Sequence, residues 1–383
     1  MVSRRVFVVS NDVTPGLGLP AAAPGLRAFG LAEGLRAHGY EVETLVPASL
    51  LEQLWANPAS PPPVQPGTVA LGADNLTPYL ATRQPATVVM TNSNKVRDLE
   101  AAPGLRYIFD FFAPKMLELA YQFGEDHPGD ELRELRARKI EALELADAIA
   151  VNGPKKQGYV LGWLMQTGHD PRRFPVEVVN MAVAGFERRR RTDGLLRYAI
   201  AGYLQGWSIP GPWLGVVGEH IASHEDTSLD ILLHAHWGQA RAGLEVPALA
   251  DLLSLPNVRS HPVMRYGDFQ ELLSGVDVAI DLFDHSLERE YAMVTRTVVA
   301  LACGLPVIHP PFTEVSPFIE AYDAGWLHAA EDVATLPDLL RSITREEAAA
   351  KSANAVRLWS DVFEPRRATE PLVRLIEAVW AER

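Results

Sequence analysis

An α/β fold built from two doubly wound units is expected from this sequence, and three observations lead to it. Short β-branched runs alternate with amphipathic helical patterns, the signature of parallel strands joined by crossover helices. The chain has 383 residues, enough for two ordinary domains and large for a single core. A charged, turn-prone run, Arg188–Arg191 followed by Asp193-Gly194, stands near its middle and reads as a linker.

The elements follow in order. "RVFVVS" is read as the first strand, followed by the Gly/Pro-rich loop "TPGLGLPAAAPG". The next helix sets Leu26, Phe29, Ala32 and Leu35 on one face, and Gly39 closes it before the strand "YEVETLVP". "TVVMTN", "LRYIFDFF" and "DAIAVN" are further buried strands. Between the last two lies a helix, "DELRELRARKIEALELA", whose acidic residues come first, where the positive end of the helix dipole favours them. Beyond the linker the strands are "LRYAIAGY", "NVRSHPV", "DVAIDLF", "LPVIHPP" and "GWLHAA", and "RRATEPLVRLIEAVW" is a closing amphipathic helix. "NPASPPPVQPG" is a proline-rich surface connection, and no internal repeat is present.

Composition narrows the function. Hydrophobic residues make up 48% and charged residues 22%, values of a globular protein. A formal charge of −13 argues against nucleic acid as a partner, because such binding needs basic surface to displace counterions. The single cysteine, Cys303, excludes internal disulfides and cysteine-rich zinc sites. The opening apolar segment is too short for a signal peptide and no run is long enough to span a bilayer. A cytoplasmic location is expected, with peripheral contact at the inner face of the membrane left open.

In doubly wound sheets ligands bind outside the carboxyl ends of the strands, so chemistry is sought in the loops that follow them. The loop at 14–25 holds Gly16 and Gly18 and runs into a helix start, which suits either an anion-binding loop or a flexible connector. Arg27, one turn on, is read as a cation for the cleft or as a solvated helix residue. Asp110 sits inside an apolar strand between Phe109 and Phe111. A buried carboxylate needs a partner, so it serves a site, as base or hydroxyl-orienting group, or caps a helix. Gly202, Gln205, Gly206 and Trp207 follow the first strand of the second unit and suit a phosphate site, although a core role for the tryptophan is the commoner fate.

Histidines 220, 224, 234 and 236 make no recognised metal motif and are taken as structural or surface groups. The stretch "EREYAMVTRTVVALACGLPVIHPP" sets charged and hydroxyl groups just ahead of a buried helix. There Thr295, Arg296 and Thr297 at a helix N-terminus suit a diphosphate, and Glu288 or Glu290 suits sugar hydroxyls. The alternative is a helix capped by Thr295 with a surface Glu–Arg pair.

At this point the chain resembles glycosyltransferases of the GT-B fold, in particular glycosyltransferase family 4. The resemblance rests on "PGLRAFGLAEGLRAHGYEVETLVP", "IFDFFAPKMLE", "LADAIAVNGPKKQGYVLGWL", "PNVRSHPVMRYGDFQELLSGVDVAIDLF", "LACGLPVI" and "YDAGW", taken in order. It implies two Rossmann-like domains facing a central cleft. Residues 1–187 bind the acceptor, 195–361 bind a nucleotide sugar, and the helix 362–383 packs back on the first domain. It also implies sugar transfer from a nucleotide-diphosphate donor to a glycan, lipid-linked or natural-product acceptor, with retained configuration, no bound metal and no cofactor. Carried over by position, Gly16, Gly18 and Arg27 belong to the acceptor side. Gly202, Gln205, Trp207, Glu290, Thr295, Arg296 and Thr297 belong to the donor side. Asp110, Glu290 and Arg296 carry the chemistry. The family's second cleft glutamate is replaced by Val299, and Arg296 stands in for the usual basic pair. Val299 supports the alternative of an inactive, scaffolding relative in a polysaccharide-assembly complex. A dinucleotide oxidoreductase shares the α/β pattern but lacks the glycine fingerprint.

Overall fold

A computed structural model describes residues 3–54, 65–123, 129–189, 191, 193–205, 210–235 and 246–381. The first sheet contains β1 (Arg5–Val9), β2 (Glu41–Pro47), β3 (Thr68–Leu71), β4 (Ala86–Met90), β5 (Leu105–Phe111), β6 (Ala148–Val151) and β7 (Val176–Val178). They lie in the order β3-β2-β1-β4-β5-β6-β7, every pair parallel. The second sheet contains β8 (Leu196–Leu204), β9 (Thr227–Ala235), β10 (Val258–Ser260), β11 (Val278–Ile280), β12 (Val307–His309) and β13 (Gly325–Leu327). Its order is β10-β9-β8-β11-β12-β13, again parallel throughout. Strand order reverses between β1 and β4 in one sheet and between β8 and β11 in the other. Such a switch point opens a crevice at the strand ends.

Because helices cover both faces of each sheet, the central strands are buried on both sides and read as continuous apolar runs. All of β4, β5 and β6 is buried, including the single carboxylate that interrupts them, Asp110. The helix Pro365–Ala381 lays Leu372, Leu375, Ile376 and Val379 against Val6, Val8, Ala28 and Leu31 of the first unit. Trp380 fixes its end by donating from Nε1 to Thr87 Oγ1 at 2.9 Å.

Three strands escape the sequence reading: β3, β7 and β9. In β9 a buried Asp230, paired with His261 at 2.7 Å, breaks the apolar pattern that marks a strand. Of the histidines at 234 and 236, His234 lies in β9, and His236 is outside the described residues. The arginine run is also more than a linker. Arg188 donates to the carbonyls of Gly304 and Val276 and to Ser352 Oγ, and Arg191 donates to the carbonyl of Gly275, tying the segment onto the second unit. No helix among the described residues is long and apolar enough to cross a membrane.

Candidate functional site

A cavity of about 480 Å³ opens between the two sheets. Its walls come from residues at or just beyond the carboxyl ends of strands: Asn11 and Asp12 after β1, Phe112 after β5, Asn152 after β6, Gly202, Tyr203 and Gln205 at the end of β8, and His234 in β9. The helix Thr295–Ala302 presents Thr295, Arg296 and Val299 from the second unit, and the helix Pro154–Leu164 presents Lys156 from the first.

The two units also touch at the cavity's edge. The Glu314 carboxylate, after β12, accepts hydrogen bonds from the backbone N–H groups of Lys155 (3.3 Å) and Lys156 (3.1 Å), so it caps the helix Pro154–Leu164. Gly153 permits this approach, since a Cβ there would lie 2.4 Å from the Glu314 carboxyl carbon. Lys155 Nζ donates to the Phe312 carbonyl at 2.8 Å, and the rings of Tyr159 and Tyr291 sit 5.2 Å apart across the junction.

Arg296 is positioned with care. Its Nε donates to Asp281 Oδ1 at 2.5 Å, and its guanidinium lies over the Phe283 ring. Asp281, just after β11, is itself fixed by Thr297, whose hydroxyl donates to Oδ2. Behind Thr297 stand His309, Thr313 and Ser316 in a buried hydroxyl–imidazole chain. Burial lowers the His309 pKa to about 4, so this chain is neutral at physiological pH. A guanidinium held at one nitrogen by a carboxylate keeps other N–H groups for a ligand. The Arg296 side chain retains 21% exposure, toward the cavity. The helix it belongs to begins at Val294, which supplies no side-chain cap to the first-turn amides.

Gly202 explains how Arg296 reaches this place. Its φ is 138°, and a Cβ there would meet Arg296 Nη1 at 2.7 Å and Cδ at 2.9 Å. Gly202→Ala is therefore expected to destabilise the protein by about 1–3 kcal/mol through backbone strain and displacement of Arg296. Urea denaturation reads this directly, and an unchanged midpoint would show that the site yields freely.

The structure brings Gly202, Gln205, Thr295 and Arg296 together at this cavity and places the other candidates elsewhere. Arg27 and Asp110 face each other, not the cavity: Arg27 Nε and Nη2 donate to the two carboxylate oxygens at 2.8 and 2.9 Å, with both side chains fully buried. Arg27 Nη1 also donates to the Asn180 carbonyl at 2.6 Å. This corrects both expectations for the pair, because both side chains are fully buried against each other and neither lines the cavity. Thr297 is buried beneath the cavity on Asp281. Glu290 Oε1 accepts from His285 Nε2 at 2.6 Å outside the cavity wall, while its neighbour Glu288 lines the wall. Glu288 is clasped by Arg289, and burial raises its pKa. Thr295 begins its helix but does not cap it. Gly16 and Gly18 take left-handed φ values of 89° and 71° in a loop packed on its own small core of Val13, Leu17, Leu19, Val46 and Leu51. They do not line the cavity. Trp207 lies outside the described residues.

Sequence reasoning missed Lys156, Asn152, Asp281 and His234. Four buried polar atoms on the cavity wall have no hydrogen-bond partner among the described residues: Lys156 Nζ, Asn152 Oδ1, Gln205 Oε1 and His234 Nε2. Buried polar groups are normally satisfied, so a wall that concentrates orphans is built for a polar ligand. Among the described residues no cluster of three or more His, Cys, Asp or Glu side chains could hold a metal ion.

No known family profile and no curated protein sequence matches this chain. Solved structures do. Sucrose-phosphate synthase from Thermosynechococcus elongatus superposes with a TM-score of 0.71 at 14% identity, over 99% of this chain and all of that one. WaaG, a glycosyltransferase involved in lipopolysaccharide biosynthesis, gives 0.60 at 14% identity over 98% of this chain and 99% of its own. HepE from Anabaena, in complex with UDP-glucose, gives 0.59 at 13% identity over 98% of this chain and 99% of its own. At such identities the likeness is one of fold, and the fold is GT-B: two Rossmann-like domains around a cleft.

Proposed function

We propose that this chain is a glycosyltransferase that moves a sugar from a nucleotide-diphosphate donor held by the second unit to an acceptor held by the first. The observation that carries the reading is Arg296, a guanidinium braced by Asp281 at a helix start without a side-chain cap, lining the interlobe cavity. When the bond from the sugar's anomeric carbon to the diphosphate breaks, negative charge grows on the leaving oxygen. A pre-positioned guanidinium and first-turn amides stabilise that charge more in the transition state than in the ground state. Gln205 and His234 supply hydrogen-bonding groups on the same wall. The complexes of HepE with UDP and with UDP-glucose support a nucleotide sugar as ligand.

Retention of configuration is part of the proposal. Of the carboxylates on the wall, Glu288 is clasped by Arg289, Glu118 pairs with Lys115 and Asp12 accepts from the Val13 amide, while Asp110 is buried on Arg27. This engagement favours a reaction without a carboxylate base over direct inverting attack. The test is incubation with a panel of UDP-, GDP-, dTDP- and ADP-sugars, read by mass spectrometry for nucleotide release. Release from one donor class is expected, and none from any donor would refute turnover. Val299, which lines the cavity with apolar surface, favours a second reading in which the chain binds nucleotide sugars without turning them over. Nucleotide-dependent thermal stabilisation without turnover selects that reading.

A further inference from the structure

Among the described residues four cations line the cavity: Lys115, Lys156, Arg289 and Arg296. Three have a carboxylate partner, Glu118 at 2.5 Å, Glu288 and Asp281 respectively. Lys156 Nζ has no hydrogen-bond partner among the described residues, although the residue is only 1% exposed. The carboxylates around it are engaged elsewhere: Glu314 on the backbone of its own helix, Glu288 on Arg289 and Asp110 on Arg27. A desolvated ammonium without a hydrogen-bonded partner costs several kcal/mol, and proteins retain one where a ligand compensates it. Burial lowers its pKa to about 8, so the group is still mostly charged at pH 7. On the same cavity, just after β6, Asn152 Oδ1 also has no hydrogen-bond partner among the described residues and can accept a hydrogen bond from a hydroxyl. Lys156 and Asn152 belong to the first unit, whereas Arg296 belongs to the second, so the two free cationic faces stand on opposite walls.

The geometry points to an acidic acceptor: Lys156 binds a phosphate or carboxylate group carried by the sugar or polyol that receives the transferred residue, and Asn152 takes one of its hydroxyls. This rests on the transferase reading for the word acceptor, but the anion site itself stands on the cavity alone. Thermal melting separates the two. Wild-type protein is melted with inorganic phosphate, glucose 6-phosphate, glucuronate and glucose, and in parallel with UDP, GDP, dTDP and ADP. A shift of several degrees is expected with an acidic sugar and none with glucose. The phosphate and carboxylate arms distinguish the two acids.

Lys156→Met is expected to abolish the acidic-sugar shift while leaving the nucleotide shift intact. It should also raise the melting temperature of the free protein at pH 7. A base whose folded pKa is lowered destabilises the fold while it is charged, and this penalty fades above the folded pKa, toward the unfolded value. In turnover, the wild type is expected to favour the acidic acceptor over its neutral counterpart by about tenfold or more in kcat/KM, and Lys156→Met to lose that preference through acceptor KM. Equal shifts with glucose and its acids would overturn the proposal. So would a Lys156→Met effect confined to donor KM, which would assign the ammonium to the diphosphate. Acidic-sugar shifts without any nucleotide shift would sink the transferase reading and keep the anion site.

Discussion

Arg296→Ala lowers kcat/KM by about 10²–10³-fold, roughly 3–4 kcal/mol of lost transition-state stabilisation, with most of the loss in kcat. The expectation follows from where the charge appears. In the bound donor the diphosphate charge is shared over several oxygens, whereas in the transition state it concentrates on the oxygen leaving the sugar. A guanidinium fixed by Asp281, with Thr297 and His309 behind it, needs no reorganisation at that moment. The variant should fold, because Asp281 keeps its bond from Thr297 and the side chain lost is partly exposed to the cavity. Steady-state kinetics on the donor found by the nucleotide-sugar panel measures the effect. Kinetics like those of the wild type would remove Arg296 from the reaction.

The second large effect is on stability. Arg27→Met leaves Asp110 buried with neither of its two short hydrogen bonds, and is expected to cost about 3–5 kcal/mol in urea denaturation. The double variant Arg27→Met/Asp110→Leu is expected to recover much of that loss. It removes both charges and fills the space with apolar groups, and a buried pair is often no more stable than a packed hydrophobic replacement. A double variant no more stable than the single one would mean that the pair anchors helix Ala23–Ala37 in a way packing does not replace. Arg27 also bonds the Asn180 carbonyl, where the chain crosses from the first sheet to the second, so the loss should also be felt at the junction.

How far the sequence carried the argument depends on the kind of signal. The fold was legible because parallel strands buried on both faces are apolar throughout, as in β4, β5 and β6. Strand β9 was not, because its buried Asp230–His261 pair hides a strand under polar letters. At the site, an arginine and hydroxyls ahead of an apolar helix pointed to one wall of the cavity, but spacing alone did not say which side chains face inward. Thr295 and Arg296 line the cavity while Thr297, one step on, turns beneath it, as the helical rotation of about 100° per residue requires. Asp110 and Arg27 were both noticed, yet they lie 83 positions apart and nothing local reveals that they pair. Asp281 carried the signal that singled out Asp110, a carboxylate within an apolar strand segment, and went unread. Lys156 gives no sequence signal at all. A lysine in "GPKKQGY" looks solvated, and only the third dimension shows that Lys155 reaches Phe312 while Lys156 is buried.

The central claim is that the interlobe cavity holds a diphosphate on Arg296. Calorimetric titration of wild type and Arg296→Ala with UDP, GDP, dTDP and ADP, each beside its parent nucleoside, tests it most directly. The account predicts that one diphosphate binds the wild type far more tightly than its nucleoside. It also predicts that Arg296→Ala erases most of that difference while leaving nucleoside affinity unchanged. Equal diphosphate affinity in the two proteins would contradict it.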